Sequence, residues 1–560
     1  MDALTWMLKK ASQPSAREFY SMKALTAAEM REVDGLTTQV FGIPGSQLME
    51  NAGRAVACAV WRRIAGRGVD GEVCVTVLCG KGNNGGDGFV VARHLKDHKL
   101  ATRVVLFGKK EDVPGDAGKN LRRWLEAGGE VEVVAEESDW EQAWRGVRES
   151  HVIVDAMLGT GLKGAASGAI AAAIVDVNKS SHKATGSWPA LILAVDTPSG
   201  LPSDGAVPDG PVLAAHWTTT FTAPKVGQLT GAGAEACGTL EVVRIGSPAK
   251  LIEETGKGTV RWAGLDEFAG MPLLRAADSH KGTFGHAVIV AGSRGKSGAA
   301  VLAGYACLRA GAGLTTIATP DEVQPVVAGA YAEYMTEPLL STKTGGIAAA
   351  NASSGRIAKL LEDKAVVAIG PGIGTHVETR MVVQQLVREA SLPIILDADG
   401  LNCFDGEAFK LGQRKTQFLG VTPHPGEMAR LLGVKNLDVQ SDRLKAATEA
   451  AKKWKAHVIL KGYHTILAAP DGRVFVNTTG GPSLAKGGTG DVLTGLLAAL
   501  TAQFGTADWL RVLALGVFLH GTAGDLLSRQ EDPSGILAHQ VAETIPGARE
   551  WMLKEIQFGG

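Results

Sequence analysis

Short apolar runs rich in β-branched residues recur along the chain. Each is followed by a glycine-dense turn and then by a stretch in which apolar residues return every three or four positions. The first rhythm is that of buried strands, the second that of helices covering one face of a sheet. In the first half the pattern predicts strands at Val73–Cys79, Arg103–Phe107, His151–Ala156, Leu191–Val195 and Trp217–Thr222, with helices at Gly88–Asp97 and Ala117–Ala127. In the second half it predicts strands at His286–Ala291, Leu314–Ala318, Ala365–Ile369, Ile394–Asp397, Gln417–Thr422 and His457–Lys461. Helices are expected there at Gly298–Ala310, Glu378–Glu389, Gly426–Leu432, Asp442–Lys453 and Asp491–Ala502. Strands apolar throughout are buried on both faces, and their alternation with helices makes the sheets parallel, so the fold class is α/β. Ligands are expected at the carboxyl ends of such strands.

At 560 residues the chain exceeds one ordinary core. A polar stretch containing Glu253, Glu254 and Lys257 marks the join. The reading is an extension over 1–23, a first domain over 24–246, a linker over 247–272 and a second domain over 273–560. With 57 basic and 58 acidic residues the balance is neutral, which argues against a general binder of nucleic acid or anionic membrane. No run of ~18 or more apolar residues is seen, so no membrane partner is expected. The six cysteines are scattered, with no CxxC pair, and read as buried thiols. A cytoplasmic enzyme is the expectation. Apolar helical stretches such as Leu510–Leu519 fit either a core or an interface between copies, which leaves room for a homo-oligomer.

The most informative run is Gly487-Gly488-Thr489-Gly490-Asp491, which opens an apolar helix. Free amides and the helix dipole make an anion site there, and a carboxylate in an anion site needs a reason. Proton abstraction from a hydroxyl about to receive a phosphoryl group supplies one. Four other polar strand ends accompany it: Ala291–Ala300, Gly370–Gly374, Asp397–Asn402 and Thr422–Glu427, with Lys461-Gly462-Tyr463-His464-Thr465 after the next strand. Any one alone fits a structural turn, and His424 between two prolines fits a helix cap. Together, at one edge of one sheet, they read as a cleft.

In the first half, Gly80-Lys81-Gly82-Asn83-Asn84-Gly85-Gly86-Asp87-Gly88 follows a strand and precedes a helix. Its five glycines exceed what a plain turn needs, so it reads as a ligand loop. Asp155 and Asp196 each end a strand, followed by Met157–Leu162 and Thr197–Leu201, and offer hard oxygen ligands for a non-transition cation. Lys225 follows the last predicted strand.

The ordered motifs GKGNNGGDG, VDAMLGTGLKG, VDTPSGLPSDG and TFTAPKVGQ resemble the NAD(P)H-hydrate epimerase family over about residues 24–246. That resemblance implies a Rossmann-like three-layer fold, interconversion of R and S hydrates of NADH or NADPH, and a bound K+. It implies hydrate contacts from Asn83, Asn84, Gly85, Gly86, Asp87, Gly159, Thr160, Gly161, Leu162, Lys163, Gly164, Ala165 and Asp196. K+ would be held by Asn84, Asp155 and Ser199, and protons moved by Asp196 and Lys225. The second half, with GGTGD, KGYHT and TPHPGE, resembles the ADP-dependent NAD(P)H-hydrate dehydratase family, which has a ribokinase-like fold. Implied hydrate contacts are Ala300, Gly372, His424 and Asp491, with Asp491 as the base. Implied adenine-nucleotide contacts are Lys461, Gly462, Tyr463, His464, Thr465 and Gly490, with ADP as co-substrate and Mg2+ on its phosphates. The implied reaction returns the S-hydrate to NAD(P)H with release of AMP and phosphate. A ribokinase-like kinase for a vitamin or sugar hydroxyl is the alternative that the second half alone would allow.

Overall fold

The computed structural model describes residues 22–65, 73–162, 164–181, 190–505 and 508–558. Among them the strands form two α/β sheets. In the first, Val131–Val134, Ala101–Phe107, Cys74–Cys79, Val152–Ala156, Leu191–Val195, Trp217–Phe221 and Thr239–Val243 lie side by side in that order, all parallel. The chain runs outward from Cys74–Cys79 and then returns to place Val152–Ala156 on its other side. That reversal opens a crevice between the two strands at their carboxyl ends. Their cores are apolar on both faces, with Val75, Val77 and Val154 toward one layer and Leu78 and Ile153 toward the other.

The second sheet has eleven strands. His286–Val290, Leu314–Pro320, Met335–Leu339, Val366–Ile369, Ile394–Leu396, Leu419–Val421 and His457–Leu460 are parallel. Thr465–Ala468 and Val474–Asn477 then add antiparallel hairpin strands. Here the reversal lies between His286–Val290 and Val366–Ile369. One face is covered by Ser297–Arg309, Thr489–Phe504, Trp509–Leu527 and Ala538–Phe558, which pack on one another through Leu496, Leu497, Leu513 and Val541.

Several expectations change. The segment read as a linker is structured: Ala249–Thr255 is helical, and Val260–Trp262 joins the second sheet beside Val474–Asn477. Met22–Lys23, placed in the extension, pairs with Val260–Trp262, while the rest of 1–23 lies outside the described residues. The helix expected from Gly88 starts at Asn83. Its glycines are there for packing: a Cβ on Gly86 would fall 2.7 Å from Met49 Sδ, and one on Gly88 2.7 Å from Cys79 Sγ. Cys58 is exposed and Cys74 half-buried, so the thiols are not uniformly buried. Trp509–Leu527 is long and apolar enough to cross a membrane, but 83% of that window is buried inside the protein, which makes it a core helix.

Candidate functional site

Two clefts occupy the two reversals. The first, about 700 Å3, is lined by Lys81–Asn84 and Asp87, by Met157–Leu162, and by Asp196, with the helix Ala27–Phe41 contributing Met30, Arg31, Asp34 and Thr38. Gly80 permits the closure of its floor, because a Cβ there would stand 1.9 Å from Met157 O.

Lys225 is fully buried and pairs with Asp196 Oδ1; its ammonium also donates to Thr220 Oγ1 at 2.8 Å and Phe221 O at 2.5 Å. Gln228, on the short helix Val226–Leu229, donates to Asp196 O at 2.6 Å. Asp196 is held at φ 61, a left-handed conformation costly for a non-glycine residue, so the surrounding bonds fix it against strain. Burial pushes Asp87 well above the usual carboxylate range, with the neighbouring charges of Asp196 and Asp34 adding to it.

Behind this pair, Asp155 is fully buried. Its oxygens accept from Ser199 Oγ at 2.6 Å, Ser199 N at 2.7 Å and Met157 N at 3.2 Å. Burial lifts it to about 6, against the pull of those bonds. Asn84 donates to Leu158 O at 2.9 Å, while its Oδ1 is buried without a partner. An orphaned carbonyl-type oxygen beside a buried carboxylate suits a hard cation.

Not every predicted residue faces this cleft. Gly85 and Gly86 are buried in the helix start, and Gly164 and Ala165 lie exposed outside the lining. Lys163 falls outside the described residues.

The second cleft, about 420 Å3, is lined by Gly295, Lys296, Gly372, Asp399, Asn402, Glu427 and Asp491, among others. Gly370 lets its loops meet, since a Cβ there would lie 1.8 Å from Asp397 O. Asp491 stands in the first turn of Thr489–Phe504, after Gly488 at φ 95. Burial raises its carboxyl to about 6; Asp397 adds to the shift and Lys461 opposes it.

Beneath it, Asp397 Oδ1 accepts from Lys461 Nζ at 2.8 Å and Thr422 Oγ1 at 2.6 Å, and Oδ2 from Thr494 Oγ1 at 2.6 Å. Burial works to raise Asp397, but Lys461 and the two hydroxyls outweigh it and hold the carboxyl below its usual range. Lys461 is raised by the same partnership despite its burial. A Cβ on Gly490 would lie 3.7 Å from Lys461 Nζ, so that glycine, lysine and aspartate share one corner.

His424 caps Pro425–Leu432, its Nδ1 accepting from Gly426 N at 3.0 Å, and its ring is half exposed. Ala300 is buried beneath the helix start. The expected nucleotide contacts divide. His464 is buried with Nδ1 3.2 Å from Leu229 O, and Tyr463 donates to Gly238 O at 3.1 Å. These two side chains are therefore spent on the first domain, and none of 461–465 is among the residues that line the cleft. Thr465 donates back to Gly462 O at 3.1 Å.

Residues missed as actors are Asp397, Asp399, Asn402, Glu427 and Lys296. Lys296 Nζ donates to Asp399 Oδ2 at 2.9 Å, and Gly374 N to the same oxygen at 3.0 Å. All of them lie inside motifs visible in the sequence. Asp34 was also missed: its one signal is an acidic residue four positions after Met30, beside the helix's buried stripe.

Two polar clefts, each at the reversal in strand order of an α/β sheet, define a two-domain α/β enzyme. Residues 45–227 match the family model described as YjeF-related protein N-terminus, and 287–547 match that of NAD(P)H-hydrate dehydratase. The chain is 39% identical to the bifunctional NAD(P)H-hydrate repair enzyme Nnr of Moorella thermoacetica over 543 residues, covering 96% of this chain and 98% of that one. Against Nnr of Escherichia coli it is 34% identical over 471 residues, 84% of each chain. A solved ADP/ATP-dependent NAD(P)H-hydrate dehydratase from Bacillus subtilis, co-crystallized with ATP/Mg2+, is 31% identical, with a TM-score of 0.45 over 52% of this chain and 98% of that one.

The chain belongs to the bifunctional NAD(P)H-hydrate repair enzymes, with an epimerase domain followed by a dehydratase domain.

Proposed function

We propose that the first cleft interconverts the R and S hydrates of NADH or NADPH, and that the second dehydrates the S form at the expense of ADP, giving AMP and phosphate. Hydration leaves a hydroxyl on the carbon beside the ring nitrogen. Hydroxide leaves poorly and phosphate leaves well. Asp491 takes the hydroxyl proton as that oxygen attacks the terminal phosphorus of the nucleotide, and the Gly487–Gly490 amides hold the developing charge. The C–O bond then breaks with its electrons going to phosphate, while the nitrogen lone pair forms C=N. Loss of a ring proton restores the dihydropyridine.

The observation that supports this reading best is the placement of Asp491 at a helix N-terminus in the cleft, with a carboxyl raised to about 6. Such a base is ionised at neutral pH and retains more proton affinity than an ordinary aspartate. Lys461, held charged by Asp397, faces the phosphate side of the same corner. When bound, Mg2+ supplies charge neutralisation on the transferring phosphates.

In the first cleft the Lys225–Asp196 pair moves protons at the hydrate carbon. Asn84 Oδ1, Asp155 and Ser199 would hold K+, which would supply fixed positive charge there. Incubating the enzyme with mixed epimers and ADP, and following reduced-nicotinamide absorbance, tests both halves. Complete recovery is expected; recovery that halts part-way would remove the epimerase from the account.

A further inference from the structure

Besides Asp87, the first cleft holds a carboxyl that the Lys225–Asp196 pair does not use. Asp34 projects from Ala27–Phe41 and lines the same cleft as Asp87 and Asp196. Its Oδ1 is buried and has no hydrogen-bond partner among the described residues. A buried acceptor left unmet is costly, so its persistence on the wall of a binding cleft points to a donor supplied by the ligand. Asp196 is differently placed. Its Oδ1 already accepts from Lys225, from Thr220 Oγ1 at 2.9 Å and from Phe221 N at 3.4 Å, so that oxygen is occupied.

We propose that Asp34 is a second proton-transferring carboxyl of the epimerase site, meeting the hydroxyl of the hydrate at its reacting carbon. The inference rests on the epimerase reading of this cleft.

In its acid form Asp34 gives a proton to the hydroxyl. The C–O bond breaks with its electron pair on oxygen, water leaves, and the ring nitrogen lone pair forms C=N. Water then adds to the other face; the C=N pair returns to nitrogen, and the surplus proton returns to the Asp34 carboxylate, restoring its acid form. One water leaves and one enters, with no oxidant or reductant. The acid form is within reach, because burial lifts Asp34 to about 6, with Lys225 working against the shift and Asp196 with it. The charged groups around it are Lys225, Asp196, Asp87 and Lys81 from the other walls of the cleft and Arg31 from its own helix.

The test uses the full-length enzyme and a single starting epimer without nucleotide, the R/S ratio being followed by chromatography. Asp34→Asn should slow exchange by about 100-fold or more and remove the pH limb near 6. ADP-dependent dehydration of the S-hydrate by the same sample should be retained, which reports an intact fold. Asp34→Glu should exchange faster than Asp34→Asn, with a displaced limb. Exchange by Asp34→Asn within about threefold of the parent, beside an inactive Lys225→Met, would overturn the proposal and leave the cleft's reading standing. Exchange surviving in both variants would overturn both. Should Asp34→Asn not fold, an Asp34→Glu profile identical to that of the parent overturns the proposal.

Discussion

Asp397 illustrates how one residue organises the dehydratase cleft without touching the reaction. It is fully buried, and its charge is tolerated because Lys461, Thr422 and Thr494 meet both oxygens. Removing one partner of such a pair strands the other, which costs about 3–5 kcal/mol. Lys461→Met should therefore lower the stability of the second domain by that order in urea unfolding, and Asp397→Asn added to it should restore part of the loss. Because the Asp397 carboxyl is held below its unfolded value, its contribution is present above pH ~4 and is lost as pH falls through the folded value. From sequence, Asp397 and Asp399 were visible as a polar strand end, but not as one buried anchor and one cleft wall. That division depends on Ala398 adopting φ 48, which turns successive carboxyls in different directions. Asp34 was harder still, since nothing in an amphipathic helix tells a solvated acid from one facing a cleft.

At the scale of elements, the helix Thr489–Phe504 joins chemistry to core. Its first turn presents Asp491 to the cleft, and from Val492 onward it is almost wholly buried. Two of its glycines separate these roles. A Cβ on Gly490 meets nothing closer than 3.7 Å, whereas one on Gly495 would lie 2.0 Å from Ala303 O of the neighbouring helix Ser297–Arg309. Gly490→Ala should keep or slightly raise the melting temperature, since alanine favours helix by about 1 kcal/mol, while raising the KM for nucleotide. Gly495→Ala should lower the melting temperature with little specific effect on nucleotide binding. Central strands and this helix were legible because continuous apolar runs leave few alternatives. Peripheral strands were not: Met335–Leu339, at one edge, contains Pro338, and Val260–Trp262, next to the edge strand Met22–Lys23, is three residues long within a charged stretch. The helix at Asn83 was misplaced because packing glycines look like loop glycines.

Across the molecule the two domains are tied together. Met22–Lys23 and Val260–Trp262 extend the second sheet, and Leu25 then bonds to the Lys225 segment, with Leu25 N to Pro224 O at 2.9 Å and Val226 N to Leu25 O at 3.1 Å. Tyr463 and His464 reach back to Gly238 and Leu229. The division into a first domain, a linker and a second domain followed composition, which cannot show a strand that belongs to the sheet of the other half. A fragment 273–560 lacks Val260–Trp262 and the bond from Ala263 N to Val476 O, so it should melt lower than a fragment 257–560. Equal melting temperatures would mean that the added strand contributes nothing.

Dehydration depends most on Asp491 acting as base. The most direct measurement follows NADH recovery and phosphate release from S-hydrate and ADP across pH for the parent and Asp491→Asn. The parent should lose kcat/KM as pH falls through about 6, where Asp491 takes up its proton. The variant should be slower by about 100-fold or more with that limb gone, while R/S exchange in the other cleft continues. Recovery by the variant at the parent's rate, with the same pH profile, would contradict it.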